Sequence, residues 1–179
     1  MSIISNNIKE LLQKLNIDSD WTLYLDRDGV MNKQILNGYV IKNSQLVLTD
    51  FIINNIRYFS RIFKNIIIIT NQQGVGKGIM TENELIEVNQ YLIKQLKEHG
   101  GRVDKVYYCT DLQSSNSIRR KPEIGMGADS LKDFPSINKQ KSIMIGDSNS
   151  DKLFAEKFGI KFIKYLHKNN KFQAFELFY

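Results

Sequence analysis

Cysteine is nearly absent from this chain: Cys109 is the single one in 179 residues. One thiol excludes an intramolecular disulfide and any metal site built from several cysteines. Proline is almost as scarce, with only Pro122 and Pro135. There is no internal repeat, low-complexity tract or linker-like stretch. No apolar run approaches the ~20 residues that span a bilayer. Met1-Ser2-Ile3-Ile4-Ser5 carries no basic region followed by an apolar signal core, so a cytoplasmic protein without a membrane partner is expected. A block of one charge is also missing. The 25 Lys and Arg outweigh the 19 Asp and Glu by a formal +6, but they are spread out, apart from a gathering of Lys157, Lys161, Lys164, Lys168 and Lys171. Such a surplus steers phosphorylated partners toward the surface and equally fits a merely lysine-rich one, so it gives no ground for nucleic-acid binding.

What is present has the length of one domain with a substantial core. Four short apolar runs read as buried strands: Trp21 to Leu25, Ile66 to Ile69, Val103 to Tyr108 and Ser142 to Ile145, with Gly159 to Tyr165 as a fifth. The unbroken Ile66-Ile67-Ile68-Ile69 suits a central parallel strand covered on both faces. Between the runs lie helical patterns. Residues 82–98 place Leu85, Val88, Leu92 and Leu96 on one stripe, begin on a Thr81/Glu84 capping box and stop at Gly100-Gly101. Phe51 to Phe63 and Asp151 to Phe158 read as further helices, and residues 5–16 as a short amphipathic one. The alternation predicts a three-layer, Rossmann-like α/β fold with a central, mostly parallel sheet. It is read as a single domain over 1–179, with a helical lead-in at 1–20 and a C-terminal segment at 166–179. Ligands of such sheets sit beyond the carboxyl ends of the strands, and here each of the four strands ends in a polar cluster.

Four of these clusters and loops carry chemistry. In Asp26-Arg27-Asp28-Gly29, two carboxylates follow an apolar run one residue apart. An uninterrupted strand would aim both at one point, where one can attack or ligate a metal while the other moves a proton. Taken alone, the same residues are also an ordinary solvated turn. Thr70-Asn71-Gln72-Gln73-Gly74-Val75-Gly76-Lys77-Gly78 offers a hydroxyl and glycine-freed N–H groups to a phosphate. It is neither a P-loop, since Asn71 stands at the first glycine, nor a dinucleotide fingerprint, since Ile79 stands at the third. Arg119-Arg120-Lys121-Pro122 can clamp a phosphate or lie as a surface basic run. Pro122 can start the next helix. Gly146-Asp147-Ser148-Asn149-Ser150-Asp151 offers oxygens to a hard cation such as Mg²⁺, or capping groups to a helix. Together they hold what attack by an aspartate on a phosphoryl group requires: carboxylates from two strands, a hydroxyl from a third and a lysine from a loop.

Asp26-x-Asp28-Gly29, Thr70, Lys121 and Gly146-Asp147-x-x-x-Asp151 resemble, in order and in strand context, the four motifs of the haloacid dehalogenase superfamily. Asp-Arg-Asp-Gly-Val, Gly38-Tyr39-Val40, Thr-Asn-Gln-Gln-Gly-Val-Gly-Lys-Gly, Tyr-Tyr-Cys and Arg-Lys-Pro resemble more narrowly the D-glycero-D-manno-heptose 1,7-bisphosphate phosphatases. Histidinol-phosphate phosphatases are similar, and polynucleotide 3′-phosphatases more distantly so. The resemblance implies Asp26 as nucleophile, Asp28 as general acid and base, and Thr70 and Lys121 on the transferred phosphoryl. It implies Mg²⁺ on the Asp26 carboxylate, the Asp28 backbone carbonyl and Asp147, with Asp151 in support, and Asn71 and Arg120 as substrate contacts. The partner implied is a small phosphorylated metabolite, a sugar bisphosphate first, with nucleic acid unexpected and a monomer favoured.

The resembled families commonly carry a zinc loop of Cys-x-His and Cys-x-Cys before Arg-Lys-Pro. Here that loop reads Cys109-Thr110-Asp111-Leu112 and then Ser117-Ile118-Arg119-Arg120, so a structural zinc is not expected. Cys109 reads as a small residue at a strand end, and His99 and His167 as surface residues. The spacings leave no room for a large cap domain. The expectation is an open site rimmed by Gln34 to Val40 and by the loop after Cys109.

Overall fold

The computed structural model of the chain describes residues 2–178. Its elements are β1 (Ser2–Ser5), α1 (Ile8–Lys14), β2 (Thr22–Leu25), α2 (Asp50–Ile62), β3 (Asn65–Asn71), α3 (Gln73–Gly76), α4 (Glu82–Glu98), β4 (Lys105–Cys109), α5 (Gly125–Asp133), β5 (Ser142–Gly146), α6 (Asn149–Phe158), β6 (Lys161–Lys168) and β7 (Lys171–Phe178). All seven strands form one sheet in the order β1-β7-β6-β5-β2-β3-β4. The run β6-β5-β2-β3-β4 is parallel, whereas β7 joins β6 and β1 antiparallel.

The apolar runs lack polar alternation because both faces of the sheet are covered. Leu23 and Leu25 of β2, Ile66 and Ile68 of β3, and Ile143 and Ile145 of β5 pack on one side against α1, α2 and α4. Tyr24, Ile67, Ile69 and Met144 alternate to the other side, against Met126 of α5 and Phe154, Ala155 and Phe158 of α6. This is the expected three-layer α/β fold. Helix α4 spans the stretch expected for it and carries the Thr81/Glu84 capping box in both directions. Between Asp28 and α2 lie a loop, two isolated bridges and one turn of 3₁₀ helix at Asn43–Gln45.

Two expectations are corrected, the helical lead-in and Pro122 as a helix start. The lead-in is not wholly helical, since Ser2–Ser5 forms an edge strand on β7. In the C-terminal segment, β6 runs on to Lys168 and turns back as β7. The turn is Asn169-Asn170, both at positive φ (51° and 61°), the two-residue geometry whose twist matches paired strands. Pro122 does not open a helix, because α5 begins three residues later at Gly125. As the apolar run indicated, β2 ends at Leu25, before the first acid of the Asp26/Asp28 pair.

Candidate active site

Three of the five parallel strands, β2, β3 and β5, deliver site residues from their carboxyl ends to one edge of the sheet. Asp26 follows β2, and its backbone N–H donates to Ile145 O of β5 (3.1 Å). Thr70 is the penultimate residue of β3, buried to 1% exposure. Asp147 follows β5, and Asp151 sits in the first turn of α6, where it closes a capping box with Ser148. Asp26, Asp28, Thr70, Asn71, Arg120, Lys121 and Asp147 line one cleft of about 210 Å³, together with Gln34, Tyr39, Val40 and Ser150. The turn rather than a continuous strand brings Asp26 and Asp28 to the same cleft. Gly29 stands at φ +94°, and any side chain there would collide with Asp147 Oδ2. A glycine is therefore required by both backbone and space.

Lys121 is the centre of the constellation. Its ammonium, buried to 3% exposure, donates to Asp26 Oδ1 (2.6 Å), Asp151 Oδ1 (2.5 Å) and Ile69 O (2.7 Å). Burial alone would lower the lysine pKa; the carboxylates of Asp151 and Asp26 outweigh it and raise it. Burial pushes the Asp26 carboxyl well above the usual range, with Asp151 and Asp147 adding to the rise and Lys121 opposing it. Asn71 steadies the lysine from below: its side-chain amide donates to Lys121 O (3.0 Å) and accepts from Lys121 N (2.9 Å). The amide of Asn71 is thus engaged with backbone, although the residue lines the cleft.

Asp28 has a different environment. Burial acts to raise its pKa, but the Arg27 guanidinium and hydrogen bonds from Asn32 and Gln72 prevail and lower it. Asn32 Nδ2 lies 2.8 Å from Asp28 Oδ1 and Gln72 Nε2 2.7 Å from Oδ2. Gln72 also donates to Thr70 Oγ1 (2.9 Å), joining two of the residues identified in the sequence.

Carboxylate oxygens of Asp26, Asp147 and Asp151 lie within 4.8 Å of one another. Three hard oxygen donors around a cleft fit Mg²⁺. The Asp28 carboxylate does not belong to this cluster, being turned to Arg27. His167 is corrected from a surface residue: its Nε2 lies 2.8 Å from Asp147 Oδ2, with side-chain exposures of 12% and 13%. Only the tertiary pairing of β6 brings it there. Asn170, on the same hairpin, accepts from Gln34 N (2.8 Å) and donates to Gln34 O (3.0 Å), pinning the rim of the cleft.

The loop after Cys109 is closed by hydrogen bonds. Asp111 Oδ2 accepts from Ser117 Oγ (2.5 Å) and from Cys109 Sγ (3.3 Å). Ser117 Oγ accepts in turn from the backbone N–H groups of Arg119 (3.2 Å) and Arg120 (3.3 Å). Arg120 Nη1 donates to Asp111 O (3.1 Å). One thiol, one carboxylate and one hydroxyl do not make a tetrahedral zinc set of cysteines and histidines. This loop borders a second cleft of about 530 Å³, which shares Asn71, Arg120, Lys121 and Ser150 with the first.

The chain is similar to known proteins over most of its length. The profile of the "Polynucleotide kinase 3 phosphatase" family matches residues 14–165. A D-glycero-alpha-D-manno-heptose-1,7-bisphosphate 7-phosphatase of Mycobacterium bovis is 34% identical over 131 residues, covering 73% of this chain and 69% of that protein. A D-glycero-beta-D-manno-heptose-1,7-bisphosphate 7-phosphatase of Helicobacter pylori is 31% identical over 138 residues, covering 76% and 78%. Among solved structures, a D,D-heptose 1,7-bisphosphate phosphatase from B. bronchiseptica, complexed with magnesium and phosphate, superposes with a TM-score of 0.73 at 23% identity, covering 79% of this chain and 78% of that one.

Proposed function

The chain belongs to the polynucleotide kinase 3 phosphatase family, among the phosphatases of the haloacid dehalogenase superfamily, and from that premise we propose that it hydrolyses a phosphomonoester through an aspartyl-phosphate, with Mg²⁺, on D-glycero-D-manno-heptose 1,7-bisphosphate. The observation that carries this reading is the Lys121 ammonium bridging Asp26, which lines the cleft, to the fully buried Asp151. A phosphoryl group placed there meets a carboxylate nucleophile, a buried cation and the Thr70 hydroxyl, and positioning with charge neutralisation is most of what phosphoryl transfer needs.

In this mechanism Asp26 attacks phosphorus, and the ester oxygen departs with a proton from the Asp28 carboxyl. The Asp28 carboxylate then takes a proton from water as that water attacks the aspartyl-phosphate, freeing Asp26 and inorganic phosphate. The Arg27 ion pair, which favours the ionised form of Asp28, suits the second half of the cycle. Bound Mg²⁺ would be held by the Asp26 carboxylate, the Asp28 backbone carbonyl and Asp147, and would supply positive charge to the phosphoryl oxygens. Asp151 supports the site by holding Lys121. Arg120, which lines both clefts, would receive the second phosphate of a bisphosphate in this reading. The two named sugar phosphatases favour the heptose. The family's own description keeps a 3′-phosphorylated polynucleotide as the rival.

The test has two arms. Asp26→Asn is expected to lower kcat by about a thousandfold or more, as loss of a nucleophile does; phosphate release at the wild-type rate would contradict the covalent mechanism. The wild-type chain is expected to turn over one anomer of the heptose bisphosphate with the highest kcat/KM, against histidinol phosphate and a 3′-phosphorylated oligonucleotide. Equal, slow turnover of all three would remove the heptose.

A further inference from the structure

The residue between the two acids raises a question that the acids do not answer. Arg27 is completely buried, at 0% exposure, and it does not line the cleft. Taking a guanidinium out of water is costly, and a buried ion pair is often no better for stability than apolar residues of the same size. The geometry around it is nonetheless fully specified. Nε and Nη2 reach Asp28 Oδ2 (3.2 and 2.9 Å), and Nη2 also lies 3.2 Å from Oδ1. On its far side, Nη1 donates to Asn89 Oδ1 (3.0 Å) and Nη2 to Gln72 Oε1 (3.0 Å).

Asn89 is the out-of-place member of an otherwise apolar helix face. It is buried to 5% exposure on α4, among Leu85, Val88 and Leu92, and its Nδ2 has no hydrogen-bond partner among the described residues. A buried amide that leaves a donor unpaired is costly, so packing alone does not account for it. Among the described residues, its one side-chain hydrogen bond goes to Arg27. Gln72, the other anchor, bonds Arg27, Asp28 and Thr70 at once. The rigid guanidinium fork is therefore held by two elements of the core, α4 and the segment after β3, and presents its remaining edge to a single carboxylate.

We infer that Arg27, anchored by Asn89 and Gln72, is a positioning residue that fixes the orientation of the carboxylate of Asp28, a residue lining the cleft. The inference rests on the acid–base role proposed for Asp28. Arg27 acts only through that carboxylate: it touches no substrate, and its contribution to turnover disappears once Asp28 can no longer move a proton.

A double-mutant cycle separates this from a merely structural role. Arg27→Lys keeps the charge and loses the fork; Asn89→Leu removes the far anchor and suits the apolar face of α4. Turnover of p-nitrophenyl phosphate and of heptose 1,7-bisphosphate is measured with Mg²⁺. Arg27→Lys is expected to lower kcat at least tenfold and Asn89→Leu severalfold, each with KM within twofold of wild type. Asp28→Asn is expected to lower kcat by about a hundredfold or more, and adding Arg27→Lys to it should cost less than a further twofold. Losses that multiply in the double variant, or wild-type kcat in Arg27→Lys, would overturn the inference while leaving the role of Asp28 intact. Wild-type kcat in Asp28→Asn would overturn the acid–base reading and this inference with it. If Arg27→Lys does not fold, the Asn89→Leu cycle with Asp28→Asn decides by the same criterion.

Discussion

At the scale of single residues, the site is built from pairs in which one member's chemistry is set by the other. Asp26 and Asp28 are two positions apart, yet Asp26 is tied to Lys121 and Asp28 to Arg27. Burial, with Asp151 and Asp147, carries the Asp26 carboxyl upward against Lys121, whereas Arg27, Asn32 and Gln72 overcome burial and hold Asp28 down, so two like carboxylates take opposite pKa directions. Gly29 follows from the same crowding. Gly29→Ala is expected to displace Asp147, to abolish most activity and to destabilise the fold by about 1–3 kcal/mol, the cost of a strained backbone position; assay and denaturant unfolding read both, and an active, equally stable variant would contradict the collision. Cys109 is a buried thiol with 2% exposure, and burial raises its pKa. Because the thiolate is the reactive form, iodoacetamide should label the native chain roughly tenfold or more slowly than the urea-unfolded chain at neutral pH. The native rate should still be climbing with pH beyond the usual thiol range; fast native labelling at neutral pH would count against this environment.

At the scale of elements, the β6–β7 hairpin does more than close the sheet. It carries His167 to Asp147 and Asn170 to the Gln34 rim. Asn170→Gly preserves the positive-φ turn and removes only the two bonds to Gln34. Stability should stay within about 1 kcal/mol, or roughly 2–4 °C of Tm for a chain this long, while KM rises severalfold. An unchanged KM in steady-state kinetics would show that the rim does not shape the cleft. Nothing in the linear order of residues connects positions 167 or 170 to the motifs, because antiparallel pairing through a two-residue turn is what folds them back. A local signal was present in Asn169-Asn170 between two runs rich in aromatic residues, a turn pair of the kind that accepts positive φ. By contrast, α4 was legible to the residue, since capping and periodicity are local properties.

At the scale of the molecule, five parallel strands gather their carboxyl ends, and the acids with them, on one edge. Three carboxylates within 4.8 Å repel one another, so a divalent cation binding the folded state should stabilise it. Mg²⁺ at about a hundred times its Kd is expected to add ~2.7 kcal/mol, read as a rise in Tm that Asp147→Asn abolishes. EDTA should remove activity, and Mg²⁺ rather than Zn²⁺ should restore it. Activity indifferent to chelation, or a thermal shift retained in Asp147→Asn, would contradict the acidic cluster as the cation site. No helix among the described residues is long and apolar enough to cross a membrane.

The sequence by itself determined the layered α/β fold and the residues that meet in the cleft, because both are written in local patterns: unbroken apolar runs, helical stripes, and polar clusters at strand ends. Asp26, Thr70, Lys121, Asp147 and Asp151 could be named from those patterns and their order. The tertiary structure alone decided who partners whom. It placed Lys121 between Asp26 and Asp151, turned Asp28 to a buried Arg27 and its Asn89 anchor, brought His167 to Asp147, and closed the loop after Cys109 with Asp111 and Ser117. These contacts join residues far apart in the chain, or turn on which way a side chain faces, and no periodicity encodes them. Their strength comes from the low dielectric of a packed interior, which exists only once the layers have closed.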